Sequence, residues 1–372
     1  MNPQQQDNTM PIESELKEEI SQKRKKLLII AAICGLAIVI LLVAFYVLSG
    51  STSKENNLVS SVFQPKTSVT PTPFPFQEMT IPYLRQREYQ SSIANLQQVS
   101  ASSNYTSYLT SYESDGLKIN AQLTKPEGEM PEGGWPAIIF VHGYIPPVNY
   151  QTLSSYSSYV DYLASNGFVV FKIDLRGHGN SEGEPGGSYY SADYINDVLN
   201  ARAALQVSDF VNSSKIGLWG HSMAGNVLLR SLAASPDIPA IVIWAGAVYT
   251  YDDLQEFGID DNSYRPPPSN TERQRKRQEL FDTHGQFDSD STFWRQIVAT
   301  NYLSDINGAI QINHAVDDPV VSIEYSRNLI NILDKTSIVH ELNEYPLGGH
   351  NMTGSSFNQA MQNTVEFFRE NL

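Results

Sequence analysis

A serine at a predicted strand-to-helix turn is the strongest chemical signal in the chain. Ser222 lies in Gly-His-Ser-Met-Ala-Gly at 220–225, between a short β-branched run and a helical pattern. A serine on such a sharp, strained turn is exposed as a nucleophile, and its neighbours must be small. Gly220 meets that requirement two residues before the serine, whereas Ala224 stands where glycine is usual two residues after it. The N-terminus of the following helix would favour the negative charge that develops during attack on a carbonyl.

The predicted elements around this turn alternate between apolar β-rich runs and helical patterns. The strand candidates are 105–113, 117–124, 137–141, 168–173, 216–219, 240–244, 309–312 and 338–342. The helix candidates are 152–165, 192–205, 223–233, 323–333 and 356–371. Continuous apolar strands joined by helical crossovers predict a mostly parallel sheet with helices on both faces, and therefore an α/β domain.

One connection between two of these strands, about 249–308, is far longer than a usual crossover. It is charged and aromatic, with three consecutive prolines at 266–268 and a basic run at 273–277. Because loops at the carboxyl edge of such a sheet build binding sites, we expect this insertion to form a helical cap over that edge.

Several segments together resemble the α/β-hydrolase superfamily. They are the turn at 220–225, Phe-Val-His-Gly-Tyr at 140–144 and Asp-Leu-Arg-Gly-His-Gly-Asn-Ser at 174–181. With Tyr-Glu-Ser-Asp-Gly-Leu at 112–117, the pattern is similar to the prolyl-oligopeptidase and dienelactone-hydrolase-like branch. The resemblance covers 105–372 and implies an α/β-hydrolase fold with a triad in the chain order serine, acid, histidine.

The resemblance implies that the acid follows the penultimate strand. His-Ala-Val-Asp-Asp-Pro-Val-Val at 314–321 is similar to the block that carries the acid in this family, and residue-by-residue matching implies Asp318. Asp317 remains the alternative. The acid would hold the tautomer of the histidine base and stabilise the imidazolium.

The base that this order implies is His350, in Gly-Gly-His-Asn at 348–351 between the last predicted strand and the last predicted helix. A serine hydroxyl is a poor nucleophile at neutral pH until a base takes its proton. A glycine loop can bring the imidazole over the sheet edge to Ser222, where it would act as base and later as acid for the leaving group. His340 falls inside a strand pattern, and we expect it to be packed or exposed rather than catalytic.

Two backbone N–H donors would stabilise the tetrahedral oxyanion. One is expected from Met223, directly after the serine, and the resemblance implies the other from Tyr144, after the first central strand. Asp174, Arg176 and His178 are expected to brace the neighbouring loop. The sequence has no zinc, calcium or phosphate-loop pattern, so we expect neither a cofactor nor a metal.

An apolar run at 27–48 carries no charge over 22 residues. As a helix it would extend roughly 33 Å, enough to cross the hydrocarbon of a membrane. Five Lys/Arg residues lie in 1–26, which predicts a cytoplasmic N-terminus and a catalytic domain outside the cytoplasm. We expect a tail at 1–26, a single-pass anchor at 27–48, a Ser/Thr/Pro-rich stalk at 49–76 and the catalytic domain at 77–372. A cleaved signal peptide is the alternative.

The composition excludes some classes of protein. The chain has 372 residues, of which 41% are hydrophobic, and 25 Lys+Arg against 40 Asp+Glu give a net charge of −15. This acidic balance argues against nucleic-acid binding, which needs a basic surface. The single cysteine, Cys34, lies inside the apolar run, so the predicted catalytic domain contains no disulfide.

These features predict a membrane-anchored serine hydrolase that acts outside the cytoplasm through an acyl-enzyme. A small ester, an acyl group or a short peptide would be the substrate. The resemblance implies a peptidase, but about 30 residues between the stalk and the first hairpin are too few for the propeller that selects peptides in well-known members. We therefore weigh carboxylesterase and peptidase equally. The alternatives are a catalytically inactive binding module with a hydrolase fold and an acyltransferase.

Overall fold

A nine-stranded sheet organises the part of the chain that the structure, a computed structural model, describes: residues 73–262 and 271–372. The strands are β1 Gln97–Ala101, β2 Tyr105–Ser114, β3 Leu117–Pro126, β4 Trp135–Val141, β5 Val169–Ile173, β6 Val211–His221, β7 Ala240–Trp244, β8 Ala309–Ala315 and β9 His340–Tyr345. Their order across the sheet is β1-β2-β3-β5-β4-β6-β7-β8-β9. The three pairs that involve β1, β2 and β3 are antiparallel, and the other five pairs are parallel. The predicted mostly parallel sheet is confirmed.

Helices cover both faces of this sheet. In the described residues they are α1 Ile81–Gln86, α2 Ser157–Ser165, α3 Asp193–Gln206, α4 Ala224–Ala234, α5 Tyr251–Phe257, α6 Glu272–His284, α7 Thr292–Ile297, α8 Glu324–Leu333 and α9 Ser355–Asn371. Adjacent strand residues point to opposite faces. Ile139 therefore packs in the apolar cluster that includes α3 and α4, and Phe140 packs in the cluster that includes α2 and α9.

The parallel strands bring their carboxyl ends to one edge of the sheet. β6 ends at His221, β8 at Ala315 and β9 at Tyr345. The segments that follow these strands carry Ser222, Asp318 and His350. The fold thus gathers three residues that are distant in the chain along the edge where α/β sheets build their sites.

The helix predicted at 152–165 begins five residues later than expected, at Ser157. The preceding segment instead supplies backbone carbonyls to a buried lysine of β5. Lys172 Nζ donates to the carbonyl oxygens of Thr152 and Ser155, the latter at 2.7 Å. Tyr156, which directly precedes the first residue of α2, has a left-handed backbone conformation with φ 60°.

Strand β1 is absent from the sequence-based prediction because all five of its residues, Gln97–Ala101, are exposed. An exposed edge strand has no apolar alternation, which is the signal that identifies a half-buried strand. It is instead defined by its antiparallel pairing with β2.

The described residues of the long connection between β7 and β8 are mainly helical and include α5, α6 and α7. Helix α6 is attached to the loop that follows β5 and to the start of α3. Arg273 Nη2 donates to Asp193 Oδ2 at 2.8 Å, and the Arg277 guanidinium lies 4.3 Å from the centroid of the Tyr190 ring.

Residues 73–76, the end of the predicted stalk at 49–76, pack against α6 and α7. The ring of Phe74 contacts Phe293 edge to face, and the ring of Phe76 contacts His284 in the same way. His284 Nε2 also lies 2.9 Å from the carbonyl oxygen of Pro75. The folded unit thus includes 73–76.

The predicted tail at 1–26, the predicted anchor at 27–48 and most of the predicted stalk lie outside the described residues. Among the helices of residues 73–262 and 271–372, none has the length and apolar character needed to cross a membrane.

Candidate active site

Ser222 lies on the turn between β6 and α4. Its φ angle is 58°, in the left-handed region that non-glycine residues rarely occupy. Its N–H donates to the carbonyl of Trp244 at 2.8 Å, and its own carbonyl accepts from Gly225 at 2.8 Å and from Ala247 at 3.2 Å. The neighbouring backbone therefore holds a strained conformation of the kind that presents a serine for nucleophilic attack.

The packing around this turn explains why alanine occurs two residues after the serine. A Cβ on Gly220 would lie 2.8 Å from the Cβ of Ala224, so the two positions share one space. A Cβ on Gly225 would lie 2.8 Å from the Cα of Gly246. Gly220 therefore leaves room for the Ala224 methyl group, and the position at which the backbone of another segment approaches closely is Gly225.

Asp318 and His350 meet in the loops that follow β8 and β9. His350 Nδ1 lies 2.7 Å from Asp318 Oδ2, and Asp318 Oδ1 accepts the N–H groups of Val320 at 2.8 Å and Val321 at 3.0 Å. The Asp318 side chain is fully buried, whereas the His350 side chain is 16% exposed. A fixed, buried carboxylate thus contacts a partly exposed imidazole, as expected of an acid that orients a base.

His314 is a second partner of the same carboxylate. Its Nε2 lies 3.2 Å from Asp318 Oδ2, and its Nδ1 lies 2.7 Å from Ser326 Oγ. Burial raises the pKa of Asp318, but the hydrogen bonds with His314 and His350 outweigh burial and hold that pKa well below its usual range. Asp318 is therefore ionised at neutral pH and able to stabilise an imidazolium.

Asp317, the alternative acid, contacts the backbone of the His350 loop instead of the imidazole. Its Oδ1 accepts the N–H of Gly349 at 2.8 Å. Of the two adjacent carboxylates, only Asp318 is hydrogen-bonded to the His350 ring among the described residues. Asp318 thus contacts the imidazole and Asp317 contacts the backbone of the same loop, and the role of Asp318 as the acid stays a prediction.

The His350 imidazole lies beside the Ser222 turn. The ring centroids of His221 and His350 are 4.6 Å apart, and His221 Nε2 lies 2.8 Å from the His350 carbonyl oxygen. No hydrogen bond joins the Ser222 hydroxyl to His350 within the part of the chain that the structure describes. The pairing of Ser222 with His350 as nucleophile and base stays a prediction.

The two predicted oxyanion donors belong to segments that adjoin the same turn. Met223 precedes α4 directly, and its N–H has no hydrogen-bond acceptor among residues 73–262 and 271–372. The loop of Tyr144 lies against the turn, because a Cβ on Gly143 would come within 2.9 Å of the His221 carbonyl oxygen. Tyr144 itself is half-buried against the larger apolar cluster. Its role as a donor stays a prediction.

The loop after β5 is held by ion pairs and hydrogen bonds, in agreement with the bracing role expected of Asp174, Arg176 and His178. Arg176 Nη2 donates to the buried Asp197 Oδ1 at 2.6 Å. Asp174 accepts from the Tyr150 hydroxyl at 2.6 Å, and burial raises the pKa of Asp174 to about 6. The ring nitrogen Nδ1 of His178 lies 3.2 Å from the carbonyl of Leu175.

Sequence patterns alone do not identify the groups that support this site. His221 and Tyr156 hydrogen-bond to each other, and the Tyr159 hydroxyl donates to the carbonyl of Asn351 at 3.0 Å. The one sequence feature that points to His221 is its place between Gly220 and Ser222.

No group of three or more His, Cys, Asp or Glu side chains is arranged to hold a metal ion in the described residues.

Comparisons with known proteins agree with the fold. Residues 136–259, a third of the chain, match the Hydrolase_4 family, described as serine aminopeptidase S33. The polyketide transferase claH of Penicillium crustosum is 27% identical over 146 residues, which cover 39% of this chain and 46% of that protein. The chain thus spans less than half the length of the curated relatives that it matches.

Two solved structures illustrate the structural similarity. Acetyl xylan esterase 1 from Thermoanaerobacterium sp. JW/SL YS485 has a TM-score of 0.54 at 19% identity, over 77% of this chain and 90% of that chain. Dipeptidyl peptidase 4 of Porphyromonas gingivalis has a TM-score of 0.55 at 20% identity, over 72% of this chain and 36% of that chain. The sheet order, the Ser222 turn and these two structures show that the chain has the α/β-hydrolase fold, and the family match over a third of the chain agrees with that fold.

Proposed function

We propose that the chain is a serine hydrolase that cleaves a carboxylic ester or a peptide bond through an acyl-enzyme. The observation that carries the proposal is the 2.7 Å hydrogen bond between His350 and the buried Asp318, beside the strained turn of Ser222. These residues supply a nucleophile, a base and an acid in the chain order of the superfamily.

In the proposed reaction His350 Nε2 takes the proton of the Ser222 hydroxyl while Ser222 Oγ attacks the substrate carbonyl. Asp318 stabilises the resulting imidazolium, and the N–H groups of Met223 and Tyr144 donate to the tetrahedral oxyanion. His350 then gives its proton to the leaving alcohol or amine, and an acyl-serine remains. Water attacks this ester with His350 again as base, the carboxylic acid leaves, and Ser222 regains its proton.

The substrate class that we propose is a small ester, an acyl group or a short peptide. The similarity to an acetyl xylan esterase supports an ester, and the similarity to a dipeptidyl peptidase and to the serine aminopeptidase family supports a peptide. Because ester and amide cleavage use the same acyl-enzyme, we propose a prolyl-oligopeptidase-like peptidase and a carboxylesterase as equal possibilities.

Acyl transfer is a second candidate, supported by the similarity of part of the chain to a polyketide transferase. If an alcohol replaced water in the second half of the reaction, the acyl-serine would give a new ester instead of an acid. The same three residues would serve both reactions.

We propose further that the reaction takes place outside the cytoplasm, on a domain attached to the cell membrane. The support is the uncharged apolar run of 22 residues at 27–48 and the five Lys/Arg residues that precede it. Protease treatment of intact cells tests this location, because an external domain is cleaved and an internal one is protected.

A hydrolysis screen of the purified full-length chain in mild detergent tests the reaction. The substrates are p-nitrophenyl esters and aminoacyl or prolyl p-nitroanilides, and the matched control is Ser222→Ala. We expect turnover of at least one class, reduced by about 10³–10⁶-fold in the variant. Hydrolysis of esters alone would remove the peptidase, ester synthesis with an added alcohol would indicate a transferase, and unchanged turnover in Ser222→Ala would overturn the assignment.

A further inference from the structure

A chain of three hydrogen bonds links the loop of Tyr144, the Ser222 turn and the loop of His350. The N–H of Gly143 donates to the Tyr156 hydroxyl oxygen at 3.1 Å. The same oxygen lies 2.8 Å from His221 Nδ1. On the other side of the ring, His221 Nε2 lies 2.8 Å from the carbonyl oxygen of His350. We call Gly143, Tyr156, His221 and His350 the linking chain.

The directions of these hydrogen bonds leave one protonation pattern. The Gly143 N–H can only donate, so Tyr156 accepts there, and it donates its own proton to His221 Nδ1 when that nitrogen is the unprotonated one of a neutral ring. The His350 carbonyl can only accept, so His221 Nε2 must carry the proton of the neutral ring. The Nε2–H tautomer of His221 is therefore the one that satisfies every member of the linking chain.

Burial keeps His221 in this neutral state. The residue is 3% exposed, and desolvation lowers its pKa to about 3. Burial also raises the pKa of Tyr156, so its hydroxyl retains the proton that it donates. Neither group therefore changes its charge near neutral pH.

Packing fixes the members of the linking chain against each other. A Cβ on Gly143 would lie 2.9 Å from the Tyr156 hydroxyl and 3.1 Å from His221 Nδ1, so no larger residue fits there without displacing them. The rings of Tyr156 and His221 meet edge to face with centroids 5.7 Å apart. A displacement of His221 would therefore move both the loop of Tyr144 and the backbone of His350.

We propose that His221 and Tyr156 are positioning residues for the hydrolase reaction, because they fix the His350 backbone and the loop of Tyr144 relative to Ser222. The inference rests on the proposed function. Neither residue touches the reacting atoms in this role. Their contribution is to keep the base and one oxyanion donor in register with the nucleophile, which catalysis requires to within a fraction of an ångström.

The tautomer of His221 tests the linking chain without any measurement of activity. Long-range ¹H–¹⁵N spectra of the full-length chain labelled with ¹⁵N-histidine are assigned by the signal that disappears in His221→Gln. We expect a neutral Nε2–H ring at about pH 6 to 8 in the wild type and also in Tyr156→Phe, because the His350 carbonyl can still only accept, while loss of the tyrosine donor should shift the Nδ1 signal. An Nδ1–H or doubly protonated His221 in the wild type would overturn the proposal.

Kinetics test the consequence for catalysis. We expect Tyr156→Phe to lower kcat about 10-fold and His221→Phe about 10²-fold, each with KM changed less than about 3-fold. His221→Gln should recover part of the loss, because the glutamine amide can present an N–H to the His350 carbonyl. His340→Gln and Tyr105→Phe are controls away from the site and should keep wild-type kcat.

The outcomes separate this inference from the proposed function. Rates are normalised to active sites titrated with a fluorophosphonate, so a loss of folded protein does not count as a loss of kcat. Wild-type kcat in folded His221→Phe, or in Tyr156→Phe if the former does not fold, would overturn the positioning role. If the wild-type chain neither reacts with the fluorophosphonate nor turns over a substrate, the proposed function fails, and the tautomer measurement still decides whether the linking chain exists.

Discussion

His350 Nδ1 and Asp318 Oδ2 are 2.7 Å apart although 32 positions separate the two residues in the chain. The parallel arrangement of β8 and β9 creates this proximity, because both strands deliver their following loops to the same edge of the sheet. The adjacent carboxylate of Asp317 accepts the N–H of Gly349, one residue before the imidazole. Two neighbouring acids thus have different expected effects on catalysis.

We expect Asp318→Asn to lower kcat by about 10²–10⁴-fold, because the amide can neither stabilise the imidazolium nor hold the same tautomer of His350. Asp317→Asn keeps a carbonyl oxygen for the Gly349 N–H and should lower kcat less than about 10-fold. Steady-state kinetics on the two variants, with circular dichroism as the folding control, compare them directly. The opposite ranking would move the acid by one residue.

The residue types at the site could be predicted from the sequence, but the orientation of the acids could not. Asp317 and Asp318 differ by one position, and the backbone of the turn decides which carboxylate enters the core. The supporting contact of His221 is also invisible in a pattern, because its acceptor is a backbone carbonyl 129 positions away. Nearly every residue has the same backbone N–H and C=O groups, so residue types do not indicate which backbone group a side chain contacts.

The central strands were predictable for a physical reason that does not apply to the edge of the sheet. Ala240–Trp244 is buried along its whole length and reads as a continuous apolar run. Gln97–Ala101 is exposed throughout and has no such pattern. The start of α2 differs from the predicted one because Lys172, a residue of a different element, donates to the backbone carbonyls of Thr152 and Ser155.

The tight space beside the nucleophile turn predicts a specific double-mutant result. Gly220→Ala should lower the free energy of unfolding by about 1–3 kcal/mol, because the new Cβ would lie 2.8 Å from the Cβ of Ala224 and 2.9 Å from Leu228. Adding Ala224→Gly removes the first contact and should recover part of the loss. Urea unfolding measures both values. Strictly additive effects of the two substitutions would show that the methyl groups do not compete for this space.

The stability of the fold should depend on pH through His221. Its pKa is about 3 in the folded chain and near 6.5 in an unfolded one, so between these values the unfolded chain binds a proton that the folded chain does not. Stability therefore falls as the pH is lowered from 6.5 toward 3. Between about pH 7 and pH 4.5 the wild type should lose about 2 kcal/mol more than His221→Gln does.

Urea midpoints at the two pH values measure this difference. Burial also lowers the pKa of His142 and of His178. The wild type and His221→Gln should therefore both lose some free energy of unfolding at low pH through these two residues. Equal losses in the wild type and in His221→Gln would contradict the assignment of His221 as a buried neutral ring.

The ion pair of Arg176 with Asp197 should be essential for folding stability. The side chains are 7% and 0% exposed, and Asp197→Ala would leave a buried guanidinium without its main partner. We expect a loss of about 3–5 kcal/mol in urea unfolding. The control is Asp305→Ala, which breaks the ion pair of Asp305 with Arg85. Their side chains are 51% and 25% exposed, so this substitution should lower the free energy of unfolding by less than about 1 kcal/mol. A loss from Asp197→Ala no larger than that from Asp305→Ala would contradict this role.

The central claim, that Ser222 is a nucleophile activated by His350, is tested most directly by covalent labelling. The full-length chain is treated with a fluorophosphonate, and the modified peptide is identified by mass spectrometry alongside Ser222→Ala and the exposed-serine control Ser158→Ala. We predict a single adduct on Ser222 in the wild type and in Ser158→Ala, and none in Ser222→Ala. An adduct that persists in Ser222→Ala, or a folded wild-type chain that does not react, would contradict the claim.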